Sequence, residues 1–265
     1  MNTLVSYAGP EDTGDGSARL TLDSPHNRNA LSSGLVAQLH AGLRDAAADP
    51  NVRVIVLGHT GNTFCAGADL SEATGDPDAS PGELAADRAR EMAALLRAIV
   101  ESPRPVIAAV DGHVRAGGMG LVGACDIAVA GPAATFALTE ARIGVAPSII
   151  SLTLLPKLSP RAAARYFLTG EKFGAAEAAA IGLITLAVDS AGDVETAVAG
   201  LVRDLRLGSP QGLAAAKALT TAAVLAGFDR DAERLSVASA RMFVSEEARE
   251  GMVAFLQKRP PNWAV

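Results

Sequence analysis

The segment Val106-Ile107-Ala108-Ala109-Val110-Asp111-Gly112-His113-Val114-Arg115-Ala116-Gly117-Gly118-Met119-Gly120-Leu121-Val122-Gly123 decides how the chain is read. Its first five residues are apolar and mostly β-branched, which suits a short buried strand. Gly112 to Gly123 then holds five glycines in twelve residues. Within it, Gly118-Met119-Gly120-Leu121-Val122-Gly123 has the Gly-x-Gly-x-x-Gly spacing of a dinucleotide-binding turn, with Glu140 near the place of a ribose-binding acid. In such a turn the first glycine follows the strand at once, whereas seven residues, Asp111 to Gly117, intervene here. That context argues against a nicotinamide-dependent enzyme. A second reading is that the glycines let a helix pack closely on a sheet. A third uses their backbone: unshielded N–H groups at the positive end of a helix stabilise an oxygen that gains negative charge. The second donor would then come from another loop, with Gly67-Ala68 the candidate.

Moving outward, Ala18 to Leu22 alternates apolar and polar side chains and reads as a half-buried strand. Leu35, Leu39 and Leu43 recur every fourth residue on a helix that Asp49-Pro50 stops. Val52 to Leu57 reads as a buried strand. Gly58 to Gly82 is loop-like around the apolar island Phe64 to Ala68. Leu84, Met92, Leu95, Leu96 and Ile99 make one stripe of a further helix, ended by Pro103 and Pro105. Downstream of the glycines, Ile127 to Ala130 and Thr135 to Leu138 are strand-like. This alternation predicts an α/β architecture. From Pro160 onward alanine-rich helical segments dominate: Arg161 to Leu168, Ala175 to Ala180, Thr196 to Leu205, Gly212 to Ala226 and Asp231 to Leu256. No internal repeat stands out.

The 265 residues suffice for one large domain or two small ones. With 23 basic against 29 acidic side chains the net charge is -6, so no general positive field exists to hold nucleic acid. Cys65 and Cys125 are too few for a disulfide framework, which fits a reducing, cytoplasmic location. The first sixteen residues lack the make-up of a signal peptide, so the mature chain is expected to start near Met1. No stretch has the length of a membrane span. His26, His40 and His59 show no metal spacing, and no Ser/His/Asp set sits in a nucleophile-elbow context.

Five pieces carry a family resemblance, and they fall in order along the chain: Pro25 through Asn29-Ala30-Leu31; Phe64-Cys65-Ala66-Gly67-Ala68-Asp69-Leu70; Asp111-Gly112 with Gly117-Gly118; Cys125-Asp126; and Glu250-Gly251 through Phe255 and Lys258. Together they resemble the enoyl-CoA hydratase/isomerase (crotonase) family over nearly the whole chain. The resemblance implies an α/β fold with a crotonase-like ββα spiral core, placed at residues 1–195, and a helical C-terminal trimerisation region at 196–265. It implies a homotrimer, or a hexamer made of two trimers. Unsaturated acyl-CoA thioesters are the implied substrates, with no cofactor beyond the coenzyme A of the substrate itself.

Carried onto this chain, the N–H groups of Ala68 and Gly117 resemble an oxyanion hole. Arg28, Ala30, Ala66, Ala68, Asp69, Leu70 and Gly117 match positions lining the coenzyme A pocket, and Phe255 and Lys258 match a C-terminal contribution often made by a neighbouring subunit. Hydratases of the family use two glutamates. Here Glu140 stands at the second position and Gly120 at the first. One carboxylate resembles the family's isomerases; hydration would need another group to orient water, with Ser148, His113 and Asp69 the candidates. Arg115 departs from the pattern, either as a turn arginine or as a contact to a polar acyl group. A non-catalytic acyl-CoA-binding protein is the alternative function.

Overall fold

Alternate side chains of the central strands enter two different cores, and this two-sided burial explains their unbroken apolar sequence. The computed structural model describes residues 2–69, 72 and 81–264. The chain begins with β1 (Val5–Ala8), a short α1 (Pro10–Thr13), β2 (Ser17–Leu22) and α2 (Ser33–Ala48). Then β3 (Val54–His59) and β4 (Thr63–Cys65) lead to α3 (Pro81–Glu101), and β5 (Val106–Val110) and β6 (His113–Arg115) lead to α4 (Gly117–Ala124). A third pair, β7 (Ile127–Ala130) and β8 (Thr135–Ala137), runs into a 3₁₀ turn at Glu140–Ile143 and α5 (Ser151–Leu154). Beyond it come α6 (Pro160–Thr169), β9 (Phe173–Gly174), α7 (Ala175–Ala180), β10 (Leu186–Ala187) and α8 (Ala191–Leu205). Two helices, α9 (Pro210–Phe243) and α10 (Glu246–Leu256), complete the order.

Each successive pair sends its first strand to one sheet and its second to another. The larger sheet has the order β1-β2-β3-β5-β7-β10 and the smaller β4-β6-β8-β9. Among the described residues only β1 against β2, and β9 against β8, run antiparallel. The expected winding of ββα units is therefore present. In the larger sheet Ile55, Leu57, Val106 and Ala108 enter the main core with α2 and α3. Val54, Val56, Ile107 and Val129 point the other way, onto Val194, Val198 and Val202 of α8. Fully burying one such valine stabilises the fold by about 1.5–3 kcal/mol, so α8 is fastened to the sheet it covers. The boundary expected at 195/196 falls inside this helix.

Two sequence expectations need correction. The glycine-rich stretches concealed β4 and β6, three residues each, because such short strands carry no readable periodicity. The helices expected at Gly212 to Ala226 and Asp231 to Leu256 are divided elsewhere. Helix α9 runs straight through Gly227, since Phe228 is buried and Arg97 and Arg90 of α3 pair with Asp229 and Glu233. The real break is at Val244-Ser245, where the Ser245 side chain caps α10 by accepting from the Ala248 N–H. Helix α9 is also anchored at Lys217, only 6 % exposed, whose Nζ lies 2.7 Å from Asp126 and donates to the carbonyls of Ile99 and Arg104.

Candidate active site

Parallel strands leave their C-terminal ends, and the loops that follow them, on one edge, where ligands of such sheets gather. Asn29 organises this edge. Fully buried with φ 53°, it accepts from the Ser24 N–H at 2.7 Å and donates to the carbonyls of Thr60 and Thr63 at 3.1 and 2.7 Å. The neighbouring backbone is then zipped onto the loop after β4: the Ala66 N–H donates to Arg28 at 3.1 Å, the Leu31 N–H to Gly67 at 2.8 Å, and Leu31 bridges Ala68 in parallel. Thus the loop holding Arg28 and Ala30 lies along the loop holding Ala66 and Ala68. Asp69 lies beside them and accepts from the Asn27 amide at 3.2 Å. Leu70 lies outside the described residues.

The second turn follows β6. Ala116 has φ 46° and ψ -118°, a strained conformation for a residue with a side chain. It is held there by its N–H donating to Ala137 at 3.2 Å. The strain directs the chain abruptly into α4, leaving Gly117 as the first helical residue. The two turns meet. A Cβ added to Gly67, at φ 94°, would stand 2.8 Å from the Ala116 Cβ and 3.5 Å from the Gly117 nitrogen. Among the described residues neither the Ala68 N–H nor the Gly117 N–H has a hydrogen-bond acceptor. At Gly117 that is the ordinary state of a helix N-terminus, which adds its positive dipole end.

The other glycines of α4 act through packing. A Cβ on Gly118 would press to 2.7 Å on that of Cys65, and one on Gly123 would come to 2.9 Å of Leu154. At Gly120 it would run into Cγ2 of Ile150, with Leu96 at 3.3 Å. None of the three is turned to a pyrophosphate, so the close-packing reading holds for them.

Glu140 leaves β8 on the same edge, because β8 pairs with β6 in the register Arg115↔Ala137. It begins the 3₁₀ turn and is 9 % exposed. Its Oε2 is buried and has no hydrogen-bond partner among the described residues. Loss of water therefore dominates, and burial pushes this carboxyl up to about 7. None of the expected helpers supplies a bond to Oε2: the exposed His113 ring lies 2.9 Å from the Thr135 hydroxyl, Ser148 reaches toward Ala146, and Asp69 is with Asn27. Arg115 is not an exposed turn residue. Its half-buried guanidinium spans the strands, donating to the carbonyls of Val114 and Thr135 and to the Thr135 hydroxyl. Phe255 is 62 % exposed at the end of α10, and Lys258 follows with φ 54°. Two surface clefts, of about 430 and 220 Å³, lie at the opposite, N-terminal edge of the strands.

Two participants, Ile150 and Gly144, carry no signal in the sequence reading. Ile150 is one apolar residue in an apolar run. Gly144 ends the Glu140 turn and Gly251 of α10 packs on it; of these two only Gly251 belongs to a motif piece of the sequence.

Successive ββα units that feed two separate sheets, followed by C-terminal helices, make this a crotonase-fold protein. A family profile described as enoyl-CoA hydratase/isomerase matches residues 12–265. The crystal structure of an enoyl-CoA hydratase from Mycobacterium avium superposes with a TM-score of 0.92 at 70% identity, covering 100% of both chains. The 2,3-dehydroadipyl-CoA hydratase of Escherichia coli is 34% identical over 252 residues, 92% of this chain and 93% of that one. The 1,2-epoxyphenylacetyl-CoA isomerase of the same organism is 32% identical over 251 residues, with 92% and 93% covered. The chain belongs to the enoyl-CoA hydratase/isomerase family.

Proposed function

We propose that the protein acts on an unsaturated acyl-CoA thioester, with Ala68 and Gly117 as oxyanion donors and Glu140 as the acid/base. The meeting of two turns that each carry an unengaged amide, on the strand edge that also bears a dry carboxyl, supports this reading. Two N–H groups aimed at the thioester oxygen stabilise the enolate more than the ground state, each worth about 3 kcal/mol of barrier. Ionised Glu140 removes a proton from the α carbon, and the negative charge moves to the oxygen held by the amides. The same carboxyl returns the proton at the γ carbon, which shifts the double bond. A carboxyl titrating near 7 is matched to taking and giving back one proton at neutral pH.

Gly120 favours this double-bond shift over hydration. Its place is closed by Ile150, so the second carboxyl that would hold a water is replaced by hydrocarbon. Coenzyme A enters as part of the substrate and no separate cofactor is invoked. Arg28, Ala30, Ala66, Asp69 and Leu70 are assigned to the coenzyme A side of the site, and Phe255 and Lys258 to its C-terminal cover. Exposed Leu219 on α9 and Phe255 and Leu256 on α10 support burial against other copies, as a homotrimer or hexamer. A cytoplasmic location belongs to the same reading, supported by the unpaired, buried Cys65 and Cys125.

Purified protein assayed with trans-2-enoyl-CoA and 3-enoyl-CoA of several chain lengths tests the proposal. Conversion of the 3-enoyl substrate faster than hydration of the 2-enoyl substrate is expected. Tight binding with no turnover of either would make it a binding protein instead.

A further inference from the structure

The turn that carries Glu140 has helix α10 seated directly on its backbone. A Cβ on Gly251 of α10 would lie 2.5 Å from the carbonyl carbon and oxygen of Ile143. From the turn's side, a Cβ on Gly144 would lie 2.6 Å from the Glu247 carbonyl carbon and 2.8 Å from the Ala248 nitrogen. Both obstacles are main chain, which cannot swing aside as a side chain can. Gly144 also needs its φ of 78° to end the turn. The Val145 N–H donates to the Glu140 carbonyl at 3.1 Å, so the glutamate and the glycine contact belong to one small rigid loop.

The geometry points to Gly251 and Gly144 as positioning residues that keep water from Glu140 by letting α10 close on the turn at backbone distance. This rests on the role proposed above for Glu140. It goes beyond that role in giving the dryness of the carboxyl a cause outside the site's own loops. The charged groups on the packed elements are exposed or engaged elsewhere, with Arg161 of α6 and Glu246 of α10 among the exposed ones. Arg142, on the turn itself, donates to the Thr169 carbonyl at the end of α6, and Arg165 of α6 pairs with Glu171. On α10, Glu247 and Arg249 are exposed, and Glu250 is held by Arg259 and the Asn262 N–H. Burial is accordingly the leading cause of the raised Glu140 titration, with no charged neighbour contributing.

Glu250 adds a link. By holding Arg259 and Asn262 it folds the tail around Lys258 back onto α10. One helix therefore supports both the acid/base turn and the tail assigned to coenzyme A.

The test compares Gly251→Ala with Ala46→Gly, which removes a fully buried methyl on the distant α2. Gly251→Ala is expected to lower kcat at least tenfold and to move the acid limb of the kcat profile from near pH 7 down by about one pH unit, as water reaches the carboxyl. Ala46→Gly should lower Tm and leave the limb in place. An unmoved limb in Gly251→Ala, or an equal movement in Ala46→Gly, overturns the proposal. If Gly251→Ala does not fold, Ala248→Gly, which removes a fully buried methyl from the residue whose nitrogen faces Gly144, decides by the same limb with about half the movement.

A turnover-free readout separates this idea from the catalytic assignment. The pH dependence of the Tm difference between the parent protein and Glu140→Gln reports the carboxyl directly. The midpoint of that difference should fall by about one pH unit when Gly251→Ala is placed in both, and an unchanged midpoint refutes the positioning role whatever Glu140 does in turnover. Full activity of Glu140→Gln would refute only the catalytic assignment.

Discussion

Ile150 occupies the space that a side chain at Gly120 would need. Its Cβ stands 3.0 Å from where that of residue 120 would be, and its Cγ2 closer still. The Thr153 hydroxyl, three residues further on, donates to the Gly120 carbonyl at 3.1 Å, so α5 is latched to α4 at this point. The missing carboxylate is thus a filled place and not a gap.

Gly120→Glu should therefore be destabilising and not a gain of hydratase activity. Overpacking of this kind costs about 1–3 kcal/mol, and a buried carboxylate adds to it. Thermal melting is expected to show the loss, with recovery on adding Ile150→Ala, which makes room for the new side chain. Unchanged melting of Gly120→Glu would show that the contact yields freely.

Glu140→Gln should abolish most turnover while making the protein more stable in mild alkali. The folded state keeps the proton up to about pH 7, whereas an ordinary glutamate releases it near 4.5. Between those values the folded form binds more protons than the unfolded one, so stability falls as pH rises through the window. Above it the full deficit is roughly 3 kcal/mol, and glutamine does not suffer it. Denaturant unfolding at pH 4.5 and 8.5 measures the difference. An equal effect of the substitution at both pH values would contradict the burial of the carboxyl.

Gly67→Ala strikes the oxyanion side. The methyl would be forced against Ala116 at a backbone φ that alanine rarely adopts. Displacing the Ala68 amide should reduce kcat about 100-fold, the usual effect of losing one such donor. A fall in kcat of less than threefold would remove Ala68 from the proposed site.

Lys217→Met tests the anchor of α9. Breaking a buried ion pair on one side costs about 3–5 kcal/mol, because the remaining charge is left in a poor solvent. Asp126 would keep the Val106 N–H but lose its cation. Lys217→Met with Asp126→Asn should regain most of the loss in urea unfolding, and no recovery would show that packing, not charge, is what matters there.

The order of motifs along the chain was sufficient to identify the family, to bring Gly67-Ala68 and Gly117 into one proposal and to single out Glu140. Long apolar strands and striped helices were legible too, because their periodicity is local. What the tertiary structure alone decided is all contact between distant segments: the three-residue strands β4 and β6, the unbroken passage of α9 through Gly227, the filling of the Gly120 site by Ile150, and the seating of α10 on the Glu140 turn. No window of sequence contains both partners of such a contact. Whether a glycine marks a free amide, as at Gly117, or a close approach, as at Gly251, depends on what the rest of the chain packs against it.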